Sequence, residues 1–370
     1  MRHTPLYQAH VDAGARLVDF AGWEMPINYG SQIDEHHGVR RDAGMFDVSH
    51  MCPVEVRGPQ ARAFLMKLLA NDVGKLTEPG KALYSCMLND NGRIIDDLIC
   101  YFLAEDHFRV VVNAGTREKD LAWMKSAVEE FDAEVQQMED YGMIAVQGPE
   151  ARGRMLDLLA PELRQTAESL EAFFAAQCGD LFIARTGYTG EDGFEIIASA
   201  AGTRPLWNAL LASGVKPCGL GARDSLRLEA GMSLYGQDMD EMVTPLESGL
   251  GWTVAMTDDR NFVGRPALEA QKEHGLAHRF TGVVLAGRGV LRHDQVIRTG
   301  QGEGVLTSGG FSPTLERAIG MARLPVGDDH ECEVEIRGRW LPAHLMRPPF
   351  VRFGKPSAKM QALLDSESEG

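Results

Sequence analysis

The apolar residues of this chain come in short, bounded runs separated by turns rich in glycine, asparagine and proline. That pattern favours antiparallel strands with intervening helices over a few long helices. One run stands apart. Asn89-Asp90-Asn91-Gly92 signals a tight reversal, since Gly and Asn accept the positive φ that it needs. Arg93-Ile94-Ile95-Asp96-Asp97-Leu98-Ile99-Cys100-Tyr101-Phe102 then reads as a β-branched and aromatic strand leaving that hairpin, with two adjacent acids inside it. Side chains alternate along a strand, so Asp96 is expected on one face with Ile94, Leu98, Cys100 and Phe102. Asp97 is expected on the other, with Ile95, Ile99 and Tyr101. A carboxylate among apolar neighbours costs on the order of several kcal/mol unless something compensates it. A turn cap or an arginine partner would be the ordinary explanation, because structural pairs also perturb carboxylates.

The pattern also repeats. Val54-Glu-Val-Arg-Gly58-Pro59 followed by Gln60–Ala70 is echoed by Ile144-Ala-Val-Gln-Gly148-Pro149 followed by Glu150–Ala160. Each is a short strand, a Gly-Pro turn and a helix whose apolar residues recur every three to four positions. The proline is expected at the first helical position, where its missing N–H has no intrahelical role. Two such units imply two similar α+β modules on antiparallel sheets, without the strict β-α-β alternation of a doubly wound sheet. Further strands are expected over Phe108–Asn113, Leu181–Thr186 and Phe194–Ile197, with helices from Thr116 through Val128 and within Gly219–Gly231. From about Phe280 onward, glycine-rich turns and short strands predict a separate β-rich domain. The tail after Lys355 is polar and is expected to be disordered.

At 370 residues the chain exceeds what one core organises, so two or three domains are expected. A net charge of −16 excludes a nucleic-acid-binding role, for which a basic stripe is needed. Six scattered cysteines with no zinc-type or redox spacing read as free thiols in a reducing compartment. No apolar run reaches membrane-spanning length, and the N-terminal residues resemble neither a signal nor a transit peptide. A soluble intracellular protein is therefore expected.

Several familiar motifs fail. Gly187–Gly193 lacks the Lys-Ser/Thr of a phosphate loop, and Gly219-Leu220-Gly221 has Asp224 where a dinucleotide fingerprint needs glycine. His274 and His278 have metal-ligand spacing but a glycine between them and no companion glutamate, so they are expected to face solvent. Asp47, Ser49 and His50 are too close together on one segment to form a triad. Met45 and Met51 could be core or ligand wall. What remains is a set of oddly placed polar residues: Asp96, Asp97, Asn113, Tyr188, Glu195, Arg223 and Arg227. In-strand carboxylates with an amide and arginines suit a planar heterocycle with N–H donors on its edge and an anionic tail.

The motifs Thr4-Pro-Leu-Tyr7, Val18-Asp-Phe-Ala-Gly-Trp23, Gly44-Met-Phe-Asp-Val-Ser-His-Met51, Asp96-Asp-Leu98, Gln147-Gly-Pro149 and Thr186-Gly-Tyr-Thr-Gly-Glu-Asp-Gly193 occur in this order. Gly219-Leu-Gly-Ala-Arg-Asp224, Arg227-Leu-Glu-Ala230, Leu234-Tyr-Gly-Gln237, Thr307-Ser-Gly309 and Phe311-Ser-Pro313 follow. Together, from Thr4 to about Lys355, the chain resembles the T-protein family of the glycine cleavage system, the tetrahydrofolate-dependent aminomethyltransferases. The resemblance implies an α+β fold with three domains in a cloverleaf around a folate pocket. These would be residues 1–51 with 139–232, residues 52–138 with 233–275, and a C-terminal β-barrel over 276–356, followed by the polar tail 357–370. It implies Asp97 as the catalytic acid, Asp96 as structural, and folate held by Asn113, Tyr188, Glu195 and Arg223 between walls at Met51, Tyr84, Tyr101, Tyr235 and Trp252. Arg227 is left open between the pocket and a structural pairing, and Arg352 and Lys355 are weaker candidates for the glutamyl tail.

The implied reaction takes an aminomethyl group from the lipoyl arm of a carrier, the H-protein, to tetrahydrofolate, releasing ammonia and giving 5,10-methylenetetrahydrofolate, with no metal required. The compartment would be a bacterial cytoplasm, or the mitochondrial matrix for a processed eukaryotic form. Rival readings are a folate-dependent demethylase with the same pocket, and a detached domain of a flavin-linked sarcosine-type dehydrogenase, against which the missing dinucleotide fingerprint argues. A non-enzymatic folate-binding factor for iron–sulfur assembly would carry a cysteine in K-G-C-Y-x-G-Q. Here that stretch is Met232-Ser-Leu-Tyr-Gly-Gln237.

Overall fold

A computed structural model describes residues 1–257 and 260–368. The Gly-Pro echo organises two sheets. In the first, the strand order is Ala82–Leu88, Ile94–Ala104, His107–Val112, Cys52–Arg57, Glu134–Gln137. In the second, it is Ala175–Cys178, Leu181–Ala184, Gly193–Ser199, Tyr141–Gln147, Gly44–Asp47, Lys216–Pro217. Pairing is antiparallel except between Lys216–Pro217 and Gly44–Asp47. Each echoed strand lies inside its sheet and turns at a glycine of positive φ, Gly58 at 126° and Gly148 at 130°. A Cβ at Gly148 would sit 2.4 Å from the Asp42 carbonyl oxygen, so both conformation and crowding require glycine there. The prolines differ from expectation. The helices begin at Ala61 and Ala151, so Pro59 and Pro149 occupy the turn, which closes with Ala61 N–H to Gly58 O (3.0 Å) and Ala151 N–H to Gly148 O (3.1 Å).

Each sheet has its own apolar core. Phe64, Leu65, Leu98, Phe108, Val110 and Met124 join the first sheet to the helices Ala61–Leu68 and Arg117–Val128. Met45, Ile144, Val146, Ile183, Phe194 and Trp207 fill the second. Tyr101, Val111, Phe46, Met143 and Phe182 pack between the two sheets. C-terminal to both, six strands close a barrel in the order His278–Leu285, Arg317–Pro325, Gly302–Ser312, Val296–Thr299, Glu331–Ile336, Arg339–Met346, around Val283, Ile297, Leu306 and Val334. The fold is thus α+β, two open sheets and a closed C-terminal barrel.

The chain after Lys355 is not disordered in its described part. Ala358–Ser368 is a helix, because Met360, Leu363 and Leu364 fall on one face and pack against the barrel cluster around Val284 and Phe350. Arg317 holds Glu367 at 2.8 Å beside it.

The helix Leu220–Glu229 joins the three units. Ala222 and Leu226 enter the core between the sheets, and Leu228 enters a cluster with Val284, Ile319 and Phe350 of the barrel unit. Arg227 is buried and structural: it donates to Asp238 (2.9 Å), Asp224 (2.9 Å), the Met232 carbonyl (3.2 Å) and Ser308 of the barrel (3.0 Å). Removing Asp238, which is fully buried, leaves that guanidinium with only the half-exposed Asp224 as counter-charge. Asp238→Ala is therefore expected to lose about 3–5 kcal/mol in urea unfolding. Asp224→Ala, on the exposed side of the same group, is expected to lose less than about 1 kcal/mol.

Candidate functional site

The hairpin that delivers the acid pair forms as expected. Gly92 has φ 71°, and the Asn89 side chain caps the turn by accepting from the N–H groups of Asn91 (3.0 Å) and Arg93 (3.1 Å). The strand departs from simple alternation at one residue. Leu88 faces Ile94 and Met87 faces Asp96, which leaves Ile95 as the extra residue of a bulge. Ile95 therefore packs with Leu98, Cys100 and Phe102, not on the face of Asp97. Asp97 keeps Ile99 and Tyr101, and all three line a cavity of about 380 Å³ where the sheets, the Leu220–Glu229 helix and the barrel unit meet.

That cavity brings together Met51, Tyr84, Asp97, Tyr101, Asn113, Tyr188, Glu195, Arg223, Tyr235 and Trp252. Arg227, Arg352 and Lys355 are not among its lining residues. Met45 is core, and His274 and His278 are exposed. Asp47 and His50 form no triad: Asp47 accepts from Thr4 (2.5 Å) and the Ser49 N–H (2.9 Å) and meets His10 at 2.9 Å. Sequence reasoning missed Phe173, Phe280 and Arg347 at the wall. They arrive from three distant segments, and no local pattern marks them.

Among the described residues, neither acid of the pair meets an arginine. Asp97 accepts from the Tyr84 hydroxyl at 2.8 Å and from Asn113 Nδ2 at 2.9 Å. Burial, then the neighbouring charge of Asp96, pushes its carboxyl up to about 7. Asp96 turns to the opposite side, fully buried, and accepts from the Asn113 N–H (3.1 Å) and Nδ2 (2.9 Å). One amide thus bridges both acids, because Asn113 follows the adjacent strand His107–Val112.

Across the cavity, Glu195 projects from the strand Gly193–Ser199, and burial raises its carboxyl above the usual range. Thr186 donates to Glu195 at 2.6 Å, so the Tyr101 hydroxyl, 3.1 Å from Thr186 Oγ1, must donate in turn. Arg223 lies over the Tyr188 ring at 4.4 Å and makes no hydrogen bond among the described residues. Tyr188 is pinned by its hydroxyl to the Ser233 carbonyl at 2.5 Å. Tyr84 stacks on the largely exposed Trp252, with ring centroids 5.6 Å apart. An acid, a guanidinium without a hydrogen-bond partner and aromatic faces around this volume suit one flat, polar-edged molecule.

Asp97 binds its proton more tightly when folded (about 7) than a free aspartate does (about 4), so its stabilising protonated form is complete below pH 4 and lost as pH rises to 7. Asp97→Asn is neutral throughout. Its melting temperature relative to the parent protein is expected to rise between pH 4 and pH 8, read by calorimetry, and parallel curves would contradict the burial argument.

The same architecture occurs in known proteins. The GCVT N-terminal domain family matches residues 6–258, and the glycine cleavage T-protein C-terminal barrel domain matches residues 278–352. The aminomethyltransferase of Nitrosococcus oceani is 56% identical over 355 residues, covering 96% of each chain. That of Xylella fastidiosa is 56% identical over 360 residues, covering 96% of this chain and 98% of its own. The crystal structure of glycine cleavage system aminomethyltransferase T from Bartonella henselae superposes with a TM-score of 0.89 at 35% identity, covering 96% of this chain and 99% of its own. The chain belongs to the glycine cleavage T-protein family, whose named members here are aminomethyltransferases.

Proposed function

We propose that the protein transfers the methylene of an aminomethyl group from the lipoyl arm of H-protein to tetrahydrofolate, releasing ammonia and forming 5,10-methylenetetrahydrofolate. The observation that carries this reading is Asp97, a carboxyl poised near neutrality on the wall of a cavity whose other side carries Glu195 and Arg223. We infer three domains with the boundaries expected from the sequence: 1–51 with 139–232, 52–138 with 233–275, and 276–356.

In this reading the folate ring lies between Met51, Tyr101, Tyr188 and Tyr235, with Glu195 accepting from its N–H edge and Arg223 donating to its acceptor side. Tyr84 and Trp252 stack at the opening, where the rest of the folate leaves the pocket. The transfer breaks the S–CH2 and CH2–NH2 bonds and makes two N–CH2 bonds. The two N–H protons lost by tetrahydrofolate end on the departing ammonia and on the lipoyl sulfur, so atoms and charges balance.

Asp97 sits in the right state for this. Near pH 7 it can take a proton from a reacting amine, and as a carboxylate it stabilises the positive charge that develops on the methylene. Tyr84 and Asn113 fix its two oxygens, so the carboxylate does not reorganise during transfer. The six cysteines are free and buried, which supports a reducing, cytoplasmic setting. No helix among the described residues is long and apolar enough to cross a membrane.

Three measurements test this. Purified protein should release ammonia from aminomethylated lipoyl H-protein only when tetrahydrofolate is added, and folate-independent release would sink the reading. Asp97→Asn should keep tetrahydrofolate affinity within a few-fold while turnover falls at least about a hundredfold. Glu195→Ala and Arg223→Ala should each weaken tetrahydrofolate binding by roughly ten- to a hundredfold in titration calorimetry, the range for lost hydrogen bonds to a charged group.

A further inference from the structure

Asp120 has no part in the mechanism above, yet it is fully buried, on the helix Arg117–Val128 behind the acid pair. Both of its carboxyl oxygens are inaccessible and lack a hydrogen-bond donor from the described residues. The nearby Thr116 hydroxyl is directed to the Asn113 carbonyl at 3.3 Å. What faces the Asp120 carboxyl is the carboxyl of Asp96, with the Thr116 hydroxyl beside it. Two ionised carboxylates in contact in a dry site repel strongly, and one proton between them turns that repulsion into a hydrogen bond.

We propose that Asp120 is a positioning residue: it shares a single proton with Asp96, and the pair thereby holds Asn113 in the orientation that aims its amide at Asp97. The hydrogen bonds around Asn113 fit this role. Asp96 takes both N–H groups that Asn113 turns toward it, at 3.1 and 2.9 Å, and the same Nδ2 reaches Asp97 Oδ1 at 2.9 Å and the Asp97 carbonyl at 3.1 Å. Burial raises both carboxyls, Asp120 to about 6 and Asp96 well above the usual range; contact with Asp120 adds to the rise at Asp96, whereas the hydrogen bond from Asp96 favours the ionised form of Asp120.

The other groups facing the trio do not remove this constraint. Lys119 favours an ionised Asp120, whereas Cys52, Cys86, Tyr84, Tyr188 and Tyr235 are neutral at pH 7, their protons held by burial. The pair therefore keeps one negative charge, spread away from Asp97 onto the helix.

This inference rests on Asp97 being the reacting carboxyl, and its test separates the two ideas. Asp120→Asn gives Asp96 an amide donor in place of a shared proton, so the full charge settles on Asp96 beside Asp97. The acidic limb of the kcat–pH profile is expected to move up by about half a unit or more, roughly threefold in proton affinity, with tetrahydrofolate affinity unchanged. An unmoved limb with activity reduced equally at every pH would mean that Asp120 only supports the fold, and would overturn the proposal. The proton itself can be sought without turnover and without altering Asp120. In ¹³C-aspartate-labelled Asp97→Asn protein at pH 8, infrared spectra should still contain a protonated aspartic-acid carbonyl band. Its absence overturns the shared proton, whatever the role of Asp97; its presence alongside normal turnover of Asp97→Asn would keep the pair and reject the catalytic assignment.

Discussion

Glu229, fully buried, closes the helix Leu220–Glu229, and its carboxylate is ionised there because donors converge on it. Arg40 holds it at 2.7 Å, Ser312 at 2.5 Å, the Thr314 N–H at 3.0 Å, and His36 lies 3.2 Å away. Burial opposes ionisation, yet these partners pull its carboxyl down to about 2. Ser312 and Thr314 lie in and beside the barrel, and Arg40 and His36 in the N-terminal helix Gln32–Arg41. This knot fixes one end of the helix to two units, as the Arg227–Asp238–Ser308 network does two residues earlier. Arg223, a further turn back, projects into the cavity from a helix that cannot shift. A partly satisfied network of this kind would be worse than an apolar core, so its completeness is what allows a cavity in the middle of the molecule.

The scaffold and the site treat charge in opposite ways. Arg227 and Glu229 are saturated with protein partners. Arg223 lacks a hydrogen-bond partner among the described residues, Glu195 is met there by one hydroxyl, and Asp97 is held off its ordinary ionisation range. Residues on one ten-residue helix thus separate into those spent on folding and one left for a ligand. A protein keeps such unmet groups only where the surrounding structure holds them rigidly enough that they cannot collapse onto one another.

Much of this was legible in the residues. The hairpin and the acid pair with Asp97 on the Tyr101 face followed from turn chemistry and period-two patterning, the echoed modules and a β-rich C-terminal region from the run of strands and turns, and the family resemblance implied the closed barrel and ten of the residues that line the cavity. What was not legible depended on register and long-range closure. Ile95 changed sides because a bulge is decided by the partner strand, which local alternation does not contain. Pro59 and Pro149 moved out of their helices because each glycine before them needed a turn of its own. The helix at 358–368 was hidden by its polar composition, since Met360, Leu363 and Leu364 are too few to mark a face until the barrel stands opposite. Asp120 went unremarked because nothing in the sequence sets it apart from other first-turn helix acids, and only the packing of that helix made it buried.

The loop that carries Tyr188 is tied to the chain beyond the barrel. Phe353 donates its N–H to the Gly190 carbonyl at 3.0 Å, and a Cβ on Gly231, just past the Arg223 helix, would strike Pro348 at 2.3 Å. The wall nearest Tyr188 and Arg223 is thus braced by residues synthesised more than a hundred positions later. During translation both sheets can emerge and pair while that wall still lacks its brace. The pocket reaches its final shape only after the barrel and the segment through Phe353 have left the ribosome, so a growing chain holds the acid pair long before it can hold a ligand.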